Sequence, residues 1–452
     1  MNTAVIRRLL AVGQGDGLRA QLVRGAMGVG GLKLLSLPLT LAASILLARA
    51  LGPEGYGQYV FVMAVIALLA LPIGPGLGQL VTREVARYHH GEDWSLFRGL
   101  LRRAHQWVLL GSVVIISAVL IVAGHNAAWA VDDRWTLLFI ASLMLPLLGL
   151  NALRSHTLRG LRHVFQAQLP ELLARPAFHL LFAGVLLVGG ALTPATALGS
   201  QIAATGLAFL LGAWLLSRCR PAQVEQADPD YRHGEWGRAL LPFILLAAVS
   251  TLNAQIGILA LGWLGTDEDV AALQVAQQGA MLVVLSLTIV NLVIGPHITR
   301  AHRDGDKARL QHLSRQSARA ALAVALPIAL TFILLGGPIL HLVYGEAYAA
   351  MATWPLAILA MGQLVNVAFG SVGLLLVMSG HERESLKGQL AGLTVSSALS
   401  FAVIPLFGVV GAASAIAVGL LVFNMVLAVK VVQRLGIGVT AFSWRRPSAR
   451  QI

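Results

Sequence analysis

The sequence predicts an all-α integral membrane protein with twelve transmembrane helices in two pseudo-symmetric six-helix lobes around a central cavity. Three observations carry this. Apolar side chains make up 57% of the 452 residues and charged ones only 12%, a balance soluble globular chains do not reach. Apolar stretches of about 20 residues, the length that crosses a bilayer, recur from one end to the other. The second half of the chain also echoes the first.

Taken in order, residues 1–24 carry Arg7, Arg8, Arg19 and Arg24 and no apolar run long enough for a signal core, so they are expected to persist as a cytoplasmic N-terminal segment. Six spans are expected near 25–51, 57–81, 107–125, 135–153, 169–190 and 195–217, forming a lobe over 25–217. Residues 218–239 read as a cytoplasmic link. Six further spans near 240–264, 270–297, 320–343, 353–378, 389–407 and 410–433 form the second lobe over 240–433, with 434–452 as a cytoplasmic tail. Twelve crossings place both termini on one side. Of the 33 Lys and Arg, 29 fall in segments that share that side, whereas the opposite connections collect Glu54, Asp132, Asp133, Asp267, Glu268, Asp269 and Glu346. Basic loops stay in the cytoplasm, so the formal charge of +13 reports topology and not nucleic-acid binding.

The repeat is carried by Leu51-Gly52 to Thr82-Arg83, echoed by Leu264-Gly265 to Thr299-Arg300. Gly91-Glu92 before Leu96 is echoed by Gly305-Asp306 before Leu310, and Gly160-Leu161-Arg162 with Gln168-Leu169 by Gly380 to Arg383 with Gln389-Leu390. Their common order and near-constant offset argue for duplicated halves. Six is even, so the halves share an orientation and a pathway is expected between them.

Several function classes fall away. The four lysines follow Leu32, Asp306, Leu386 and Val429, so the Gly-Lys pair of a phosphate-binding loop is missing. The single Cys219 allows no internal disulfide, and the thirteen histidines form no cluster at ligand spacing. No metal, cofactor or catalytic residue is expected. The outer connection His125 to Trp135 is only about ten residues long, too short for an outer catalytic domain, and no repeated filter loop suggests a channel. A transporter without its own motor remains, not an enzyme.

Charges inside spans are costly and mark candidate sites. Lys33 lies roughly 13 Å along the first span from Arg24 at 1.5 Å per residue. It shares a face with Gly30, Ser36, Thr40 and Ser44; the alternative is a small-residue packing stripe with a snorkelling lysine. Span 8 aligns Gln274, Gln277, Gln278 and Thr288, and span 7 adds Ser250 and Asn253. Span 10 contributes Gln363, Asn366 and Ser371 less clearly. Lys33, Ser36, Thr40, Arg175, Asn253, Gln274, Gln277 and Gln278 are the substrate-cavity candidates, although interhelical hydrogen bonds would account for the amides equally well. Span 5 places Glu171, Arg175 and His179 on one face, as an i,i+4 ion pair or as a cationic cavity wall beside a proton- or ion-exchanging Glu171 or His179. Pro72 and Pro75, with Gly74, Gly76 and Gly78, loosen span 2 and mark a candidate hinge or a static kink. Interior charge is mostly positive, which favours an anionic substrate over a cationic drug.

The string from Leu47 to Tyr59, LARALGPEGYGQY, resembles the junction of the first two helices in the Wzx-type polysaccharide-biosynthesis flippases. Val343 to Tyr348 and Ile404 to Ala413 extend the similarity. The resemblance implies two lobes that alternate between inward- and outward-open states in a bacterial inner membrane. It implies a cationic cavity for an undecaprenyl-pyrophosphate-linked oligosaccharide such as an O-antigen or exopolysaccharide repeat unit, moved from the cytoplasmic to the periplasmic leaflet. Coupling to H+ or Na+, membrane lipids as neighbours, and a polysaccharide polymerase and chain-length proteins as partners follow from it too. Multidrug and toxin extrusion antiporters of the same superfamily are the alternative, but they use carboxylates within helices where the first span here has Lys33. A non-transporting scaffold for polysaccharide assembly is the third reading.

Overall fold

The computed structural model describes residues 18–125 and 134–438; the expected segment up to Gly17, Asp132, Asp133 and the tail from Val439 lie outside the described residues. The described residues form helices joined by turns and short connections, with no strand among them. In chain order the helices are α1 (Leu18–Leu69), α2 (Pro75–Gly91), α3 (Trp94–His125), α4 (Arg134–Ser142), α5 (Leu145–Gly160), α6 (Val164–Leu169), α7 (Arg175–Val188), α8 (Pro194–Cys219), α9 (Gln223–Gln226), α10 (His233–Leu264), α11 (Asp267–Arg303), α12 (Lys307–Tyr344), α13 (Glu346–Phe369), α14 (Val372–Met378) and α15 (Glu382–Leu435).

Ten described segments are long and apolar enough to cross a membrane. Two are too long for one crossing, Gly30–Leu69 with 40 residues and Glu382–Leu435 with 54. Each contains a non-helical glycine: Gly52 has φ 70° and ψ 176°, and Gly408 has φ 52° and ψ −132°. A residue with a Cβ is strained at such φ values, so glycine permits the reversal. These breaks fall at the expected junctions of spans 1 and 2 and of spans 11 and 12.

Four expected spans prove discontinuous, among them span 4, expected over 135–153, which is divided at Leu143–Met144 between α4 and α5. Span 2, expected over 57–81, stops at Leu69 and restarts at Pro75, because Pro72 and Gly74 interrupt the backbone ladder and Pro75 is suited to a first helical position. The Trp107 indole N–H donates to the Pro72 carbonyl at 3.1 Å, satisfying an acceptor near the break. Span 10 is divided at Gly370, with φ 72° and ψ −152°. Span 5 is built from α6, a π-helical turn over Pro170–Ala174, and α7.

The basic connections are also shorter than the apolar windows suggested. α5 runs to Gly160 rather than 153, α3 starts at Trp94 rather than 107, α12 at Lys307 rather than 320, and α15 at Glu382 rather than 389. A hydropathy window detects only the part of a helix that needs lipid; amphipathic ends continue beyond it. The reversals are tight: the Asp306 carboxylate caps α12 by accepting from Arg309 N–H at 2.8 Å, beside Gly305 at φ 69°.

The chain divides into two compact units. The first comprises the chain up to Leu51 with Val65–Ala248, the second Gly52–Ala64 with Val249–Ile452. The division differs from the expected lobes 25–217 and 240–433, since α1 and α10 each run from one unit into the other. Of the expected 218–239 link, residues 218–219 complete α8 and residues 233–239 begin α10. The stretch between is fastened to α3, where Arg98 donates to the Ala227 carbonyl at 2.7 Å and Asp230 N–H to the Ser95 carbonyl at 3.0 Å.

In the first unit Tyr88, Phe97, Leu100, Val108 and Trp236 belong to an apolar core joining α2, α3 and the start of α10. Where helix ends rise into water, burying one such side chain contributes roughly 1.5–3 kcal/mol. Burial pushes the Tyr88 phenol above its ordinary pKa, so its neutral oxygen accepts the Trp236 indole N–H at 3.0 Å. In the second unit Ala321, Ala325 and Ala329 line one face of α12 against Val283, Leu287, Ala360 and Val367. Within lipid, close packing of small residues replaces the hydrophobic effect as the cohesive term.

The orientation expected from charge has a direct check. In a Cys219→Ser background, cysteines at the exposed positions Glu268 and Glu346 should react with an impermeant thiol reagent from outside the cell, while cysteines at exposed Arg232 and Arg309 should not. Outside labelling of the second pair would invert the topology.

Candidate functional site

In the first unit, Lys33 is exposed and pairs with no carboxylate among the described residues. Its companions are arranged by local helix chemistry. The Ser36 hydroxyl donates to the Lys33 carbonyl and the Thr40 hydroxyl to the Ser36 carbonyl, each at 2.8 Å. Such back-bonding tucks the hydroxyls against their own helix. Ser36 and Ser44 are buried, whereas Leu34 and Leu35 are exposed beside Lys33.

Glu171 and Arg175 pair as the helical spacing predicts, with Arg175 Nη1 donating to Glu171 Oε2 at 3.1 Å. A second cation, Arg154 of α5, comes within 3.5 Å of Glu171 Oε1 and is only 3% exposed. The Arg154 guanidinium occupies the space left by the missing side chain of Gly212 on α8. Glu171 sits on the π-helical turn, a local widening that often marks functional positions. His179, two turns along, is buried. Asn151 lies three residues before Arg154 and donates to the Thr205 carbonyl at 3.2 Å, so α5 presents a polar stripe inward. Arg154 falls just beyond the expected span 135–153, in what reads as a basic loop; the spacing of Asn151, Arg154 and Ser155 is the signal in the sequence that the helix continues.

In the second unit the three glutamines of α11 are partly buried. Gln278 Oε1 accepts from the Tyr344 hydroxyl at 3.5 Å, an interhelical contact within the unit, and they do not join Asn253. Asn253 instead lines a cavity of about 340 Å³ between α10, α13 and both parts of α15, with Ser250, Gln363, Gln389 and Ser396. Its amide donates to the Gln389 carbonyl at 3.1 Å, and the Ser250 hydroxyl donates to Gln389 Oε1 at 3.2 Å. Gln389 and Ser396 were not among the expected site residues; Gln389 stands at the very start of the expected span 389–407, where a polar residue reads as a helix end. A second cavity of about 320 Å³, in the first unit, is lined mainly by apolar side chains of α2, α3 and α10, together with Arg103 and His233.

Interior carboxylates are paired. Besides Glu171, buried Glu84 meets Arg83 at 2.7 Å and Arg87 at 3.6 Å. Buried Glu384 meets Arg434 at 2.8 Å, Lys387 at 3.3 Å and Lys430 at 3.9 Å.

The family profile described as "Polysaccharide biosynthesis protein" matches residues 22–302, well over half of the chain. The chain belongs to the polysaccharide biosynthesis protein family. The string Leu47 to Tyr59 lies inside the matched residues, and a MatE profile matches residues 242–384. This polysaccharide biosynthesis protein shares its fold with solved membrane transporters at low identity. An inward-facing multidrug resistance MATE family transporter of the MOP superfamily is 15% identical, over 95% of this chain and 97% of that one, with a TM-score of 0.73. The lipid II flippase MurJ in an inward closed conformation is 12% identical, over 88% and 86%, with a TM-score of 0.71. A MOP superfamily transporter from Pyrococcus furiosus, whose binding pocket is described as having reversed polarity, is 14% identical over 94% and 97%, with a TM-score of 0.65. No curated protein matches the chain.

Proposed function

We propose that this polysaccharide biosynthesis protein is an alternating-access flippase that carries an undecaprenyl-pyrophosphate-linked oligosaccharide from the cytoplasmic to the periplasmic leaflet of a bacterial inner membrane. The observation that carries the reading is the family match over residues 22–302 in a chain whose fold is similar to a lipid flippase. Exposed Lys33 on α1 supplies a cation to the pyrophosphate, and no soluble domain is present among the described residues to perform chemistry on the sugar. Interruption of the helix between Leu69 and Pro75, at Pro72, provides a bending point for alternation. Glu171 and His179, beside Arg154 and Arg175, are the groups through which a coupling proton or cation acts. The flipped repeat unit passes to a polymerase and chain-length proteins.

The MatE match over residues 242–384 favours a second reading, a cation-coupled drug antiporter. Against it, Glu84, Glu171 and Glu384 are each held by two or more Lys or Arg, which leaves them poor receptors for a cationic drug. Deletion of the gene separates the readings. The flippase predicts loss of surface glycan and accumulation of undecaprenyl-linked intermediates on the cytoplasmic leaflet, with unchanged resistance to cationic dyes. Normal surface glycan with increased dye sensitivity would establish the antiporter.

A further inference from the structure

We propose that the cavity in the second unit binds an uncharged sugar ring of the transported lipid, a reading that rests on the flippase assignment and names the part of the substrate this unit takes. The cavity's lining carries amide and hydroxyl groups but no Asp, Glu, Lys, Arg or His. That composition sets it apart from the first unit, where the buried guanidinium of Arg154 lies against Glu171 beside Arg175. A volume of about 340 Å³ falls at the small end of ligand pockets, which span roughly 300–1,000 Å³, and suits one part of an oligosaccharide.

The hydrogen bonds across the cavity wall leave specific atoms over. Gln389 Oε1 accepts from Ser250 and Gln363 Oε1 accepts from Asn366 at 3.1 Å. Asn253 uses its amide N–H groups on the Val249 carbonyl at 2.9 Å and the Gln389 carbonyl at 3.1 Å. Among the described residues, the Nε2 groups of Gln363 and Gln389 and the Oδ1 of Asn253 then have no protein partner. Two donor groups and one acceptor therefore open onto one cavity. A sugar hydroxyl both donates and accepts, so a mixed set of neutral amides fits it, whereas a phosphate would call for donors and positive charge. Phe423 and Leu420 complete the lining, giving the apolar C–H face of a sugar ring a surface to pack on. Interhelical adhesion accounts for the Ser250–Gln389 and Asn253–Gln389 bonds but not for the remaining amide atoms around an open space.

The test uses the full chain purified in detergent and three lipids: undecaprenyl pyrophosphate alone, the same lipid bearing galactose, and the same lipid bearing galacturonic acid. The wild-type protein should bind the galactosyl lipid about tenfold more tightly than the bare lipid, the scale of one or two net hydrogen bonds. The galacturonyl lipid should show no such gain, since its carboxylate would be desolvated without a cation. Gln363→Leu and Gln389→Leu, made separately, should each bring the galactosyl lipid toward the affinity of the bare one. Equal binding of bare and galactosyl lipids by the wild type, or variants that weaken both lipids alike, would overturn the sugar assignment and leave the flippase reading standing. Failure of all three lipids to bind the wild type would overturn the flippase reading itself, and the sugar site with it.

Discussion

Glu171→Leu is expected to destabilise the protein by about 3–5 kcal/mol, the loss typical of removing one partner from a buried ion pair. Arg154 is the reason. It is 3% exposed, lies 3.5 Å from Glu171 and is packed against Gly212, so the substitution leaves a buried guanidinium with its carboxylate gone. The reverse deletion should be milder. In Arg154→Met, Glu171 keeps Arg175 at 3.1 Å and remains 28% exposed, so neither charge is stranded, and methionine fills much of the vacated volume. The double substitution Arg154→Met with Glu171→Leu should recover a large part of the loss, as the two positions are in direct contact and not additive. Thermal inactivation at a fixed heating rate, with membrane abundance measured in parallel, reads this order because unfolding of such a chain is governed by rate. Equal damage from both single substitutions would show that Arg154 is not held chiefly by Glu171.

Arg154 also shows where the sequence was readable and where it was not. Hydropathy identifies spans because lipid forces every backbone polar group into a helix, and the placement of cations fixes an expected orientation. Neither signal says where a helix ends in water. The arginines of α2, α3, α5 and α12 therefore fall outside the expected spans, although all lie on helices. The Glu171–Arg175 pair was legible because i,i+4 spacing is local; the third member was not, because α5 and the π-helical turn meet only through tertiary packing. The same applies to Gln389. Nothing local in an apolar helix marks it as the partner of Ser250, 139 residues away. The breaks at Gly52 and Gly408 stand between the two extremes: the Leu-Gly-Pro string announces the first, while the second is visible in sequence only as a Pro-Leu-Phe-Gly run within continuous hydrophobicity.

Lys33→Glu is expected to abolish glycan export, and Lys33→Ala to reduce it by tenfold or more. Lys33 is exposed, unpaired among the described residues, and flanked by Ser36 and Thr40 hydroxyls that donate to their own helix. Those bonds commit the Ser36 and Thr40 hydroxyls to the helix, while the exposed ammonium keeps donors to offer an anion. Loss of the ammonium removes a charge contact to the pyrophosphate, and a tenfold loss of affinity corresponds to about 1.4 kcal/mol. Reversal of charge adds repulsion of the pyrophosphate to that loss. Lys33→Arg should retain much of the activity, because either cation meets a phosphate even though their donor geometries differ. A packing role for this face predicts the opposite order, with alanine best tolerated beside Gly30 and Ser36 and arginine worst. Export measured for the three variants at matched membrane abundance decides between them: near-normal Lys33→Ala with inactive Lys33→Arg would remove Lys33 from the substrate site.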